Sequence, residues 1–247
     1  MEQKKLDKYG NDNEQESLAD IHLFFPLSDL LLEPLHCMGL KPNDVTLLST
    51  IFTIIGIYCF YKNNMTYCYI FYLLGYLMDT VDGRMARKYN QGSTLGMILD
   101  SVSDNVTNLP LMLIVINKVI NSYNTPSYNS KLTLLAIIFI VTFIFGAVFG
   151  MNEAIQSYEK NKDDNFYKEK VKILTEEKYD NTCIGKIFLL IYKMSYESYR
   201  KLFPHKINHA NAKNNLIEIK KKLLNLKEFG PGNYILFLTY MMYMFSN

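Results

Sequence analysis

The chain has 247 residues, and its formal net charge at pH 7 is only +2. Hydrophobic residues make up 49% of the sequence, with 19 tyrosines and 15 phenylalanines, so the composition excludes an intrinsically disordered chain. The small net charge also excludes the strongly basic surface that nucleic-acid binding requires, and we expect no nucleic-acid partner.

The N-terminal residues 1–20 are polar and carry more acidic than basic side chains, without the short apolar core of a cleavable signal peptide. We interpret them as a polar tail before one membrane domain, residues 21–247, which contains a polar insert at residues 153–183. The beginning of that domain, residues 21–40, combines apolar side chains with charges and two prolines. This mixture is typical of a helix that lies in the membrane interface.

Four uncharged segments are candidate transmembrane helices. Residues 132–152 are the longest of them, and they match the roughly 20 apolar residues that cross a bilayer core of about 30 Å. The other three are residues 45–61, 65–78 and 229–247. We predict that each of these segments crosses the membrane.

Two further segments reach a spanning length only with polar residues inside them. Residues 95–117 form a span if the helix includes Asp100 and Asp104, whereas residues 184–203 either cross the membrane or lie in its interface. The sequence therefore predicts an all-α, polytopic membrane bundle of five or six transmembrane helices with an N-terminal interfacial helix.

The link between the second and third predicted spans is basic and indicates the orientation. It contains Arg84, Arg87 and Lys88, and the positive-inside rule places such a link in the cytosol. Since we recognise no cleavable presequence, we expect a multi-pass protein of the endoplasmic reticulum or another endomembrane. The acidic residues next to this link then face the cytosol.

Four aspartates flank the same link. Asp79 and Asp82 are i,i+3 neighbours, and Asp100 and Asp104 are i,i+4 neighbours, so each pair occupies one stripe of a helix. Inserting an unpaired carboxylate into a membrane helix costs about 2.5–3.5 kcal/mol of free energy. One or two hard divalent cations, which prefer oxygen ligands, would neutralise the four carboxylates. Such ions at the membrane surface favour phosphoryl or phosphatidyl transfer, because they stabilise charge on phosphate oxygens.

The spacing of these residues resembles a known family signature. The CDP-alcohol phosphotransferase family has DxxDGxxAR, then eight residues, then GxxxDxxxD. This chain is similar to the signature at every fixed position: Asp79, Asp82, Gly83, Ala86, Arg87, Gly96, Asp100 and Asp104. The pair Pro42-Asn43 before the first predicted span also resembles a proline-asparagine pair of the family.

The resemblance implies a role for each matching residue. Two Mg²⁺ or Mn²⁺ ions would be held by four aspartates, Asp79, Asp82, Asp100 and Asp104. Asp104 would also be the catalytic general base, which deprotonates the acceptor hydroxyl so that it attacks the β-phosphorus of the donor and expels CMP. Six residues would contact the nucleotide: Asn43, Gly83, Ala86, Arg87, Ser93 and Gly96.

The family has two branches, which differ in the substrate that carries the lipid. Ser101 follows the third aspartate, where the aminoalcohol branch typically has histidine, and Asn90-Gln91-Gly92 resembles the phosphatidylinositol synthase version. The resemblance therefore favours CDP-diacylglycerol as donor and a small hydroxyl acceptor, with an inositol-type acceptor preferred. The alternative is a CDP-choline or CDP-ethanolamine:diacylglycerol phosphotransferase. The resemblance also implies a homodimer.

Two functions of other classes are compatible with acids in a membrane protein. A cation transporter could use them to bind a permeating ion, although the four aspartates cluster near one surface rather than at the bilayer midplane. An inactive scaffold could keep the fold without the reaction, although every predicted metal position carries an aspartate.

Overall fold

A computed structural model describes residues 16–121, 127–161, 183–202 and 212–244. Every regular element in these ranges is helical, which confirms the predicted all-α class. The elements in chain order are a π-helical turn Asp20–Phe24, α1 Phe25–Cys37, α2 Pro42–Tyr61, α3 Met65–Lys88, α4 Thr94–Asn121, α5 Tyr128–Asn161, α6 Cys183–Leu202, α7 Ala212–Leu226, a 3₁₀ turn Lys227–Phe229 and α8 Pro231–Met244.

Short turns join the first four helices. Gly39, with a φ of 83°, follows α1 in a conformation that would strain a residue with a Cβ atom. Asn63 (φ 58°) and Asn90 (φ 53°) follow α2 and α3, because asparagine tolerates the left-handed region better than most residues. Pro42 begins α2, where a backbone N–H is not needed. With these turns, α2 packs against both α3 and α4.

Two glycines let α2 and α3 approach closely. A Cβ atom on Gly56 would lie 2.8 Å from the backbone nitrogen of Tyr72, and one on Gly75 would lie 3.0 Å from the backbone nitrogen of Thr53. Since real Cβ atoms rarely come this near to backbone atoms, both positions require glycine in the present packing. The contact aligns α3, which carries Asp79 and Asp82, along α2.

The main apolar cluster lies where α2, α3, α4, α5 and α8 meet. The ring of Tyr234 in α8 stacks on that of Phe145 in α5, with a centroid separation of 4.1 Å. α6 packs on α4, and α7 packs on α5. The C-terminal helix is therefore an integral part of the bundle. The buried members of the cluster are Ile57, Phe60, Cys68, Tyr72, Leu111, Val115, Val119, Ile138, Tyr234, Leu238, Met241 and Met242.

Two ion pairs connect α1 to the C-terminal half of α3. Arg84 contacts Asp29 at 2.5 Å, and Lys88 contacts Glu33 at 3.0 Å. The two acids and the two bases are each four residues apart, so both pairs form in the same register. The hydrogen bond to Glu33 also raises the pKa of Lys88. The helix predicted to lie in the interface is thus docked on the end of α3.

Two described helices are long and apolar enough to cross a membrane, Pro42–Tyr61 and Tyr128–Val148. They correspond to the predicted spans 45–61 and 132–152. Large apolar side chains are also exposed on the outside of the bundle, where Leu47 of α2 is 61% exposed, Leu109 of α4 65% and Phe139 of α5 70%. An apolar outer surface of this kind is typical of contact with lipid.

The remaining predicted spans have a mixed outcome. α3 and α4 have 24 and 28 residues, which corresponds to about 36 and 42 Å, but both carry aspartates. α8 is described over 14 residues. Residues 245–247 of the predicted last span, and residues 162–182 of the predicted polar insert, lie outside the described ranges. The number of spans therefore stays a prediction.

Candidate active site

One face of α3 borders an open cavity with a volume of about 180 Å³. Tyr72, Gly75, Tyr76 and Asp79 follow one another at helical spacing along this face, and all four line the cavity. Four other helices complete its walls. They contribute Ser49 and Thr53 of α2, Ser103, Asp104, Thr107 and Asn108 of α4, Phe145 and Gly146 of α5, and Pro231, Tyr234 and Ile235 of α8.

Three of the four predicted metal ligands come together beside this cavity. One carboxylate oxygen each from Asp79, Asp82 and Asp100 lies within 4.8 Å of the other two, and Asp82 is buried. Asp79 and Asp82 share a face of α3, and α4 supplies Asp100 from the opposite side of the basic link. Several carboxylate oxygens at this separation suit a hard divalent cation, so the donor set fits Mg²⁺ or Mn²⁺.

The fourth predicted ligand, Asp104, occupies a different position. Within the described residues, the group of three carboxylates does not include it. The side chain of Asp104 is exposed. Both Asp104 and Asp79 line the cavity. The adjacent Ser103 forms a 2.6 Å hydrogen bond with Thr50, which holds this part of α4 on α2. The predicted general base therefore faces the cavity.

Three of the six residues predicted to contact a nucleotide adjoin one another near the start of α4. The backbone N–H of Gly96 donates to the Ser93 hydroxyl at 3.0 Å. A Cβ atom on Gly96 would lie 2.9 Å from Asn43 Oδ1, so glycine keeps open the space between the starts of α2 and α4. The other three are partly buried on α3: Gly83, Ala86 and Arg87. The nucleotide contacts themselves stay predictions.

The tyrosines of the cavity and the separate roles of the bases in the link were not predicted from the sequence. Tyr72 and Tyr76 lie two turns and one turn before Asp79, so helical spacing could have placed them on the acidic face of α3. Arg84 was interpreted only as part of a general positive charge, whereas the structure pairs it with Asp29 of α1. No local pattern signals that pairing, because it joins distant segments.

Comparison with known proteins connects this geometry with one family. The family profile described as CDP-alcohol phosphatidyltransferase matches residues 40–175, which is more than half of the chain. The chain belongs to this family. The match begins just before α2 and includes all of α3, α4 and α5, so it contains the four aspartates and every predicted nucleotide contact. The resemblance that the signature indicated is confirmed.

Curated relatives of this chain are similar over shorter segments. CDP-diacylglycerol–inositol 3-phosphatidyltransferase of Saccharomyces cerevisiae is 36% identical over 77 residues, which is 31% of this chain and 34% of the relative. Probable CDP-diacylglycerol–inositol 3-phosphatidyltransferase 2 of Arabidopsis thaliana is 42% identical over 57 residues, 23% of this chain and 24% of the relative. The archaetidylinositol phosphate synthase of Pyrococcus horikoshii is 30% identical over 75 residues, 30% of this chain and 40% of the relative.

The matched segment thus spans less than half the length of each of these relatives. No solved structure gives a significant match to the chain.

Proposed function

We propose that this chain is an integral-membrane enzyme of phospholipid synthesis, which transfers a phosphatidyl group from CDP-diacylglycerol to a small hydroxyl acceptor and releases CMP. The observation that carries the proposal is the group of Asp79, Asp82 and Asp100, whose carboxylates lie within 4.8 Å of one another beside a cavity. Family membership supports a CDP-alcohol donor and an alcohol acceptor. The names of the yeast and Arabidopsis relatives support an inositol-type acceptor.

The acidic residues would hold the metal, and the basic and small residues would hold the nucleotide. Two Mg²⁺ or Mn²⁺ ions on Asp79, Asp82, Asp100 and Asp104 would neutralise the phosphate oxygens of the donor and stabilise the charge that develops on them. Arg87 supplies a permanent positive charge for the same phosphates. The space beside Gly96, between Asn43 and Ser93, and the small residues Gly83 and Ala86 would accommodate the cytidine part.

Asp104 is the proposed base. Its carboxylate accepts the proton of the acceptor hydroxyl, and the acceptor oxygen attacks the β-phosphorus of CDP-diacylglycerol. The bond between that phosphorus and the oxygen of CMP breaks, so CMP leaves with the electron pair and the phosphatidyl group stays on the acceptor. The exposed position of Asp104 in the cavity supports this role, because the side chain can then pass the proton to solvent.

The lining of the cavity favours an uncharged polyol as the acceptor. Thr53 and Thr107 contribute hydroxyl-bearing side chains to it, and Asn108 contributes an amide. None of the described residues that line it is cationic, whereas an acceptor with a phosphate or carboxylate group calls for a charged partner. We therefore favour inositol over inositol phosphate, glycerol phosphate or serine.

The proposal includes a membrane arrangement. The chain would cross the membrane five or six times, with α1 in the interface and the acidic residues facing the cytosol of the endoplasmic reticulum or another endomembrane. The exposed apolar side chains of α2, α4 and α5 support contact with lipid, and the bases at the end of α3 support the cytosolic orientation. The homodimer implied by the resemblance stays a prediction.

A panel of donors and acceptors tests the function with the purified protein in mixed lipid-detergent micelles. CDP-diacylglycerol is combined with inositol, inositol phosphate, glycerol phosphate or serine, and CDP-choline or CDP-ethanolamine is combined with diacylglycerol. Each reaction contains Mn²⁺ or Mg²⁺, and EDTA replaces the metal in a matched control. We expect CMP release from CDP-diacylglycerol with inositol, and none with EDTA.

Other outcomes of the panel contradict the proposal in distinguishable ways. Transfer only from CDP-choline or CDP-ethanolamine to diacylglycerol would assign the chain to the other branch of the family. No transfer with any pair would favour the inactive scaffold. Divalent-cation flux into sealed proteoliposomes in the absence of transfer would favour the transporter.

A further inference from the structure

Asp20 is a buried carboxylate that the proposed reaction does not use. It is 1% exposed. Its Oδ1 accepts a 2.7 Å hydrogen bond from the Tyr76 hydroxyl. Its Oδ2 accepts hydrogen bonds from the Ser17 hydroxyl at 2.7 Å and from the backbone N–H of Gly232 at 2.9 Å. Three donors, two of them from distant parts of the chain, therefore converge on one carboxylate.

The residues just before Asp20 connect the same N-terminal and C-terminal segments. The backbone N–H of Leu18 donates to Glu228 Oε2 at 3.4 Å, and that of Ala19 donates to Asn233 Oδ1 at 3.2 Å. Such N–H groups at the start of a helical segment have no carbonyl partner within the helix, so side chains serve as their acceptors. Asn233 also donates to Glu228 at 2.8 Å, which joins the two accepting side chains.

The contact between Asp20 and α8 leaves no room for a larger residue at Gly232. A Cβ atom on Gly232 would lie 2.5 Å from Asp20 Oδ1 and 2.9 Å from the Asp20 backbone nitrogen. Gly232 lies in the first turn of α8, between the cavity-lining residues Pro231 and Tyr234. The hydrogen bond to Asp20 therefore holds the part of α8 that borders the cavity.

Asp20 does not line the cavity, but it accepts hydrogen bonds from two elements that form its walls, α3 and α8. Tyr76 lines the cavity one turn before Asp79, and its ring packs edge-on against Phe24 at a centroid separation of 4.6 Å. The first turn of α8 forms a second wall. Since Asp20 is not one of the lining residues, any effect on the cavity passes through the groups that it holds.

We propose that Asp20 is a positioning residue, which fixes the Tyr76 side chain and the first turn of α8 and thereby shapes the acceptor-binding part of the cavity. The inference rests on the proposed function, because it treats this cavity as the place of the acceptor. The family match covers residues 40–175 and contains neither Asp20 nor Gly232. Segments outside the matched region therefore contribute to the shape of the acceptor site.

A carboxylate satisfies the three donors in a way that an amide does not. Asparagine has one acceptor oxygen and one donor amide, so either Tyr76 or the pair of Ser17 and Gly232 would face an N–H group. If the amide faces Tyr76, the phenol must accept and turn its own hydrogen elsewhere. The Asp20→Asn variant thus keeps the size of the side chain and removes the acceptor from either the Tyr76 hydroxyl or the Gly232 N–H.

Steady-state kinetics of Asp20→Asn, Tyr76→Phe and the double variant test the proposal with CDP-diacylglycerol and inositol. We expect each single variant to raise the inositol KM by up to about tenfold, because a displaced cavity wall loses about one hydrogen bond to the acceptor, with an unchanged KM for CDP-diacylglycerol. The inositol KM of the double variant should be no higher than that of the more strongly affected single variant, because both substitutions break the same contact. Glu33→Gln is the matched control, since Glu33 also joins the N-terminal segment to α3 but does not line the cavity.

A double-mutant cycle on thermal unfolding in detergent gives a readout that needs no turnover. Non-additive shifts of the unfolding temperature for Asp20→Asn and Tyr76→Phe support the proposal, and additive shifts overturn it. A lower maximal rate with an unchanged inositol KM also overturns it, because general destabilisation has that effect. If Asp20→Asn does not fold, an unchanged inositol KM in Tyr76→Phe alone overturns the proposal. If the wild type transfers nothing, the proposed function fails, and the thermal cycle alone decides whether Asp20 fixes Tyr76.

Discussion

The four aspartates of the signature take two kinds of position in the structure. Asp79, Asp82 and Asp100 share one small volume, whereas Asp104 lies outside that group and is exposed in the cavity where we place the acceptor. A group that holds metal needs close oxygen neighbours, but a general base needs access to the proton that it removes. The exposed position of Asp104 therefore suits the additional task of general base, beside the metal-ligand role that we propose for all four aspartates.

Substitution of one residue from each position should separate these tasks. We expect Asp104→Asn to lower turnover by about 100-fold or more, which is the usual contribution of a general base, while CDP-diacylglycerol still binds. Asp79→Ala should instead weaken Mn²⁺ and nucleotide binding together, by at least about tenfold, because it removes one oxygen ligand from the group of three. CMP release measures turnover, and a Mn²⁺ titration followed by electron paramagnetic resonance measures the metal affinity.

Glu33→Gln controls for the loss of one negative charge in this pair of experiments, since Glu33 is exposed and pairs with Lys88. Turnover near the wild-type value in Asp104→Asn would refute the base assignment. An unchanged Mn²⁺ titration in Asp79→Ala would show that this residue lies outside the metal site.

Residue spacing was sufficient to predict the meeting of Asp79, Asp82 and Asp100, because helical periodicity and a short link determine which carboxylates can approach. It was not sufficient for Asp20. The hydrogen bonds of that residue reach Tyr76 and Gly232, and no local pattern in a polar segment indicates partners so far along the chain. Long-range polar contacts of this kind depend on the completed packing.

At the scale of helices, the close approach of α2 and α3 controls how α3 presents its acidic face. Glycine at position 75 permits a close approach to Thr53 of α2. At Gly92, by contrast, an added Cβ atom would have no neighbour within 4 Å, so packing does not require glycine at this position. Glycine is therefore required by helix packing at position 75 but not at position 92.

We expect Gly75→Ala to destabilise the protein by about 1–3 kcal/mol, the usual cost of adding a carbon atom to a closely packed contact. The added Cβ would lie 3.0 Å from a backbone nitrogen of α2, so the two helices must move apart. The measurement is the midpoint of thermal unfolding in detergent, together with turnover.

Gly92→Ala is the matched control, and its unfolding midpoint should remain close to that of the wild type, because the position is open and its φ is not in the left-handed region. Equal midpoints for Gly75→Ala and the wild type would contradict the close packing of α2 and α3.

The sequence predicted the apolar parts of the helices better than their ends. The predicted span 45–61 agrees with α2, whereas the segment 65–78 continues as α3 to Lys88. A helix does not end at the first charged residue, because its backbone hydrogen bonds continue and its polar side chains find partners. Here the bases at the end of α3 find the acids of α1.

At the scale of the whole molecule, the proposed topology places the two links of α3 on opposite sides of the membrane. Residues 62–64 join α2 to α3, and residues 89–93 join α3 to α4. Since α3 is about 36 Å long, it can separate these links by the thickness of a bilayer core.

Cysteine labelling in sealed microsomes tests this topology. Gln91→Cys should react with a membrane-impermeant maleimide from the cytosolic side, whereas Asn64→Cys should react only after the membrane is permeabilised. Both are made in a Cys37→Ser background, because the native Cys37 is exposed, and that background alone is the control. Labelling of both positions from the same side would contradict the arrangement.

Hydropathy predicted a helical membrane bundle, but it did not predict how the ends of the chain join that bundle. Glu16, Ser17 and Asp20 are buried, and Asp20 contacts the first turn of α8, although residues 1–20 were interpreted as a polar tail. Polar residues that pack through hydrogen bonds look the same in a sequence as polar residues in solvent. Their burial follows from partners that only the folded chain brings near.

The hydrogen bond from Gly232 to Asp20 joins residues 212 positions apart, and this separation has a consequence for biosynthesis. A ribosome delivers α2, α3 and α4 well before α8, so the carboxylates of the metal site can assemble while translation continues. The wall that α8 provides does not yet exist at that stage, and Asp20 still lacks its backbone partner. On the proposed function, the acceptor part of the cavity is complete only after α8 has left the ribosome.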